Sequence, residues 1–209
     1  MNPNWAEENL QTIRTLMERS AIYRRALAPI MLFAGLLGVT AAATGLAFHL
    51  DSIRAFGALW LNTAAVAVAG VFLIARRQAV QAKEPFWSPP TRRVAQALLP
   101  PLTAGMCVSV VAVCIVGNDA GDGFNLLLAL VWLLFYGCAL HAAGFFMPRG
   151  IRWLGWIYIG FACAILCFSA VVQTDVTINA HWLMGFFFGV LHLAYGAYLY
   201  LTEKKNPAA

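Results

Sequence analysis

The chain alternates between long apolar runs and short polar breaks. Residues 26–48, 56–75, 98–117, 124–146, 153–173 and 182–201 each supply the roughly 20 apolar residues an α-helix needs to cross a hydrocarbon layer. None of them holds Asp, Glu, Lys or Arg in its interior. In lipid only a helix or a closed barrel satisfies its own backbone, and runs of this length without period-two alternation predict helices. The expectation is an all-α, polytopic six-transmembrane-helix bundle over residues 26–201.

The pattern before the first run is different. Across residues 4–23, Leu10, Ile13, Met17 and Ala21 recur at helical spacing, and Glu7, Glu8, Gln11, Arg14, Glu18 and Arg19 point elsewhere. That predicts an amphipathic helix within residues 1–25, capped by Asn4 with Glu7 three residues on. Two roles suit it: lying along the inner leaflet, or serving as a docking or dimerising helix for a cytoplasmic partner. Residues 202–209 form a short polar tail. The longest break, 76–97, contains Pro85-Phe86-Trp87-Ser88-Pro89-Pro90, which cannot continue a helix. Phe86 and Trp87 suit the head-group layer. Pro100-Pro101 should kink the start of the third run.

Composition sharpens this reading. Hydrophobic residues make up 61% of the 209 and charged residues only 11%, against about 25% charged in soluble domains. A soluble globule and a disordered chain are both excluded. The net charge of +5 does not point to nucleic acid, because the basic residues sit beside the apolar runs: Arg24, Arg25, Arg76, Arg77, Arg92, Arg93, Arg149 and Arg152. No nucleic-acid-binding motif accompanies them. With both termini in the cytoplasm, 13 of the 14 Lys and Arg residues fall on that side and only Arg54 outside. Thirteen basic against five acidic residues leaves +8 within; Arg54 against Asp51, Asp119, Asp122 and Asp175 leaves −3 without. This predicts a multi-pass protein of an inner (plasma) membrane with cytoplasmic N- and C-termini, its basic clusters touching anionic lipid.

Candidate chemistry is confined to a few polar residues. Gly35, Gly38, Ala42, Gly45 and His49 form one stripe of small residues, and His181, Gly185, Gly189, His192 and Gly196 another, with Gly185 and Gly189 as a GxxxG pair. Such stripes let helices approach closely, within the chain, in a homo-oligomer or against a partner. They do not explain the histidines. At 1.5 Å per residue, His141 and His192 sit roughly 9 and 15 Å deep, where an ionisable side chain is a functional candidate. Each can simply hydrogen-bond a neighbour. Together, with Gly137, Gly144, Gly189 and Gly196 beside them to admit the ring, they can instead serve as axial ligands of a b-type haem.

His49 and His181, with Asp51 and Asp175 on the same side, form a candidate metal or proton-sensing patch. Cys107, Cys114, Cys138, Cys163 and Cys167 all lie in apolar runs. They read as small hydrophobes, with Cu(I) ligation as the alternative. No nucleophile elbow, HExxH, phosphate loop or paired membrane carboxylates is present, so no catalytic residue is assigned. The missing carboxylates disfavour a carrier driven by an acidic relay. The expectation is a non-enzymatic structural, accessory or small-ligand-binding membrane subunit. The alternatives are a haem- or metal-binding electron-transfer or sensor subunit, and a small-solute transporter or its binding component. A central cavity lined by His192, His141, Asn62 and Tyr195 would favour the last.

Overall fold

The structure, a computed structural model of the chain, describes residues 27–83, 85–115, 121–172 and 178–205. The amphipathic stretch 4–23 lies outside them, as do Arg24, Arg25, Asp119 and Asp175. Six helices are long and apolar enough to span a membrane, with mean hydropathies from 1.4 to 2.1. The first, α1, covers Leu27–Ala47. It is followed by α2 (Ile53–Gln81), α3 (Pro89–Ile115), α4 (Gly121–Ala143) and α5 (Arg149–Val172). The sixth span is built from α6 (Ala180–Met184), a π-helical segment (Gly185–Leu191) and α7 (His192–Lys205). No strand occurs among the described residues. The molecule is a multi-pass membrane bundle in contact with the lipid bilayer.

Local chemistry sets the helix ends. At the end of α1, the Leu50 N–H donates to the Gly45 carbonyl at 3.0 Å and the His49 N–H to the Leu46 carbonyl at 3.5 Å. His49 takes a left-handed φ of 48° between them. This is a Schellman-type termination, and it occupies the backbone position that glycine usually fills. Ser52 caps α2 by accepting from the Ala55 N–H, and Asn179 caps α6 by accepting from the His181 and Trp182 N–H groups. The break between α2 and α3 is shorter than the expected 76–97: α2 runs on to Gln81 and α3 starts at Pro89. Both helices extend beyond their apolar runs because Arg76, Arg77, Arg92 and Arg93 are exposed there and a helix satisfies its backbone as well in the head-group layer as in lipid. Pro100 and Pro101 lie inside α3.

Burial is uneven. Half of the apolar window of α4 is buried, against 6% of that of α2. So α4 forms the centre, and α2 faces mostly outward. The two small-residue stripes meet each other within the chain. A Cβ added to Gly35 would come within 2.9 Å of the Gly189 carbonyl, one on Gly185 within 2.5 Å of the Ala42 Cβ, and one on Gly38 would overlap the Phe188 backbone. Helix α5 seats on α4 in the same way: a Cβ on Gly155 would lie 2.7 Å from the His141 nitrogen. Lipid gives helices no hydrophobic reason to associate, so backbone-to-backbone approach of this kind supplies the van der Waals contact that holds them.

Candidate functional site

His192 is buried at the start of α7, just after the π-helical segment. Its Nδ1 lies 3.1 Å from the Phe187 carbonyl oxygen and 3.1 Å from the Tyr158 hydroxyl. Its Nε2 lies 2.7 Å from the Tyr136 hydroxyl. A carbonyl can only accept, so Nδ1 carries the proton; Nε2 of the neutral ring then accepts from the Tyr136 O–H. The Tyr158 hydroxyl also donates to the Phe187 carbonyl. The π-helical segment leaves that carbonyl open to side chains, a use for which such bulges recur at functional positions.

A second polar pair stands nearby. Ser109, fully buried on α3, donates to the Gly105 carbonyl at 2.6 Å and accepts from the Trp132 indole N–H. Between the pairs lies a cleft of about 250 Å³. Its wall includes Ala34 and Gly38 of α1, Trp60 and Ala64 of α2, Trp132 and Tyr136 of α4, and His192 of the sixth span. Every polar group named on that wall is spent on another protein group. The Trp60 indole N–H donates to His181. The cleft therefore presents aromatic and aliphatic surface to its contents. At its rim Val68 and Met106 are exposed, which places the opening between the outward-facing helices α2 and α3.

A larger cavity, about 600 Å³, lies at the end of the bundle that carries the links after α1, α3 and α5. Asp51, Phe56, Asn125, Leu130, Ser169 and His181 are among its lining residues. Phe56 and His181 divide it from the cleft. The Phe56 ring stacks on Trp132 at 5.8 Å and meets the His181 ring at 4.9 Å. His181 is pinned at both nitrogens: Nε2–H donates to the Leu50 carbonyl at 3.2 Å, and Nδ1 accepts from Trp60 at 3.3 Å.

The structure separates several residues that the sequence grouped. His141 shares no hydrogen-bond partner with His192. Its ring sits edge-on between Phe145 and Trp156, and its Nδ1 is buried without a partner. The glycines expected to admit a haem ring are filled by neighbouring helices: Gly137 by Ile159 and Gly155, Gly144 by Arg152, Gly189 by Val39, and Gly196 by Leu32. The lone pair of His192 that iron would need accepts from Tyr136. The residues present do not fit a haem.

On the other side, His49 is exposed, and the lone pair of His181 accepts from Trp60. No group of three or more His, Cys, Asp or Glu side chains converges among the described residues. Cys107, Cys114, Cys163 and Cys167 are exposed, Cys138 is partly buried, and all five are free thiols. Asn62 bonds the Ala58 carbonyl of its own helix, and Tyr195 packs beside Gly150. Of the four residues expected to line a central cavity, His192 alone borders the cleft.

At the membrane boundary Arg149 is exposed, Arg152 lies over the Phe145 ring at 5.3 Å, and Phe86 packs on Phe72 with Trp87 exposed beside it. Tyr136, Tyr158, Ser109, Trp60, Trp132 and Asn125 escaped the sequence reading. The usable signal was that a phenol, indole or amide inside an apolar run must find a partner. Comparison with protein-family models, curated proteins and solved structures gives no match to this chain.

Proposed function

We propose that the protein is a non-enzymatic membrane subunit that binds a small, largely apolar molecule, drawn from the bilayer, in the cleft beside Trp60, Trp132 and Tyr136. The carrying observation is a cleft of about 250 Å³ whose wall is apolar because the indole, phenol and hydroxyl groups on it are bonded to other protein groups. A void of about 150 Å³ lined by aliphatic and aromatic side chains suffices for benzene, so a one- or two-ring compound matches this size. The sixth span and α1 form the rigid seam beside it, and the GxxxG pair Gly185 and Gly189 serves that seam within one chain. We place the protein in an inner (plasma) membrane with both termini cytoplasmic, because the basic residues divide 13 to 1.

The test is a naphthalene titration of the full chain in lipid nanodiscs, read as the melting temperature. The native chain should show a saturable rise. Ala34→Phe and Ala64→Phe, which fill the cleft, should show none. An equal rise in the filled variants, or no rise in the native chain, overturns the reading.

A further inference from the structure

The cavity of about 600 Å³ beside Asp51 is separated from the cleft by Phe56 and His181, and its chemistry differs. Asn125 is 4% exposed. Its amide nitrogen donates to the Asp51 carbonyl, and its Oδ1 has no partner. A buried amide oxygen left unpaired costs about 1–3 kcal/mol, so a donor brought to this corner of the cavity is favoured once the Asn125 side chain turns toward it. The Asp51 side chain adds a carboxylate that makes no ion pair among the described residues. Among the described residues no Lys or Arg lines the cavity. His181 offers no acceptor, since both its nitrogens are engaged, and the Asn179 side-chain oxygen is spent on the helix cap. Leu126, Leu127, Leu130, Ile165 and Leu166 form the aliphatic part of the wall, beside the Phe56 ring and Ser169. Among the described residues that line the cavity, Asp51 carries the formal charge, which favours a cation over an anion.

We propose that this cavity is a second binding site, for a small organic ammonium ion: N–H donors go to Asn125 Oδ1 and the Asp51 carboxylate, and a short hydrocarbon body rests on the leucine and isoleucine wall. The volume falls in the usual range for small-molecule sites, about 300–1,000 Å³. The site is independent of the cleft and does not rest on the function proposed for it.

The experiment is isothermal titration of the full chain in zwitterionic nanodiscs with n-butylammonium, with n-butanol and butyrate as matched controls. The expected result is saturable binding of the ammonium ion alone. Asp51→Asn should weaken it at least tenfold, and Asn125→Leu should abolish it. Ala64→Phe, which fills the separate cleft, should leave it unchanged. If Asn125→Leu fails to fold, Asp51→Asn decides alone. Equal uptake of butanol, which marks simple partition into lipid, overturns the proposal. So does undiminished affinity in Asp51→Asn, or the absence of saturation in the native chain.

Discussion

His192 illustrates the terms on which a polar side chain lives among apolar helices. Its ring gives a proton to the Phe187 carbonyl and takes one from Tyr136, so neither nitrogen is left unpaired. Tyr136→Phe removes a donor and leaves a buried acceptor, and should lower stability by about 1–3 kcal/mol, read as a drop in melting temperature. Tyr158→Phe should cost less, because the Phe187 carbonyl keeps its bond from His192. The histidine and both tyrosines were visible as residues; their convergence was not, since they lie on three different spans. His49 is the opposite case. It looked like a ligand and is a helix terminator with a φ of 48°. His49→Gly should hold or raise stability, and His49→Val should lower it by about 1 kcal/mol or more, because β-branched residues tolerate left-handed backbone poorly. Thermal unfolding of the two variants side by side checks the sign.

At the scale of elements, the glycine stripes were readable because helical spacing places Gly35, Gly38, Ala42 and Gly45 on one face whatever they meet. What they meet is the sixth span. Gly38→Leu drives a side chain into the Phe188 backbone and should be among the most damaging substitutions in the chain, at or above the roughly 1–3 kcal/mol of ordinary overpacking. Gly160→Leu is the control. Nothing lies within 4 Å of a Cβ there, so thermal unfolding should be unchanged. The π-helical segment was not legible. Its sequence, Gly185-Phe186-Phe187-Phe188-Gly189-Val190-Leu191, suits an ordinary helix as well. The wider turn coincides with the Tyr158 and His192 bonds to the Phe187 carbonyl, which come from tertiary contacts.

For the whole molecule, the division of charge carries the prediction. If the basic ends of the spans face the cytoplasm, a cysteine placed at Ser52 reacts with an impermeant maleimide added outside intact cells. One placed at Gln81 reacts only after the membrane is opened. The native thiols at Cys107, Cys114, Cys163 and Cys167 lie on exposed positions inside apolar helices and should be unreactive to the same reagent from either side, which is checked in the unsubstituted chain. The reverse labelling pattern would invert the topology.

The amino-acid pattern alone determined that six helices cross the membrane, about where each begins and ends, and which faces carry small residues. These are properties of single helices, set by hydrophobicity and by a period of 3.6 residues. The tertiary structure decided which stripes pair and that the haem-sized gaps beside Gly137, Gly144, Gly189 and Gly196 are closed. It also decided that His141 and His192 serve different surroundings, and that a cleft and a cavity lie on either side of Phe56 and His181. A hydrogen bond from Tyr136 on α4 to His192 on α7 depends on the relative rotation and depth of two helices. Lipid is as apolar as the helix surfaces it bathes, so hydrophobicity does not select that rotation; close packing and the pairing of buried polar groups do.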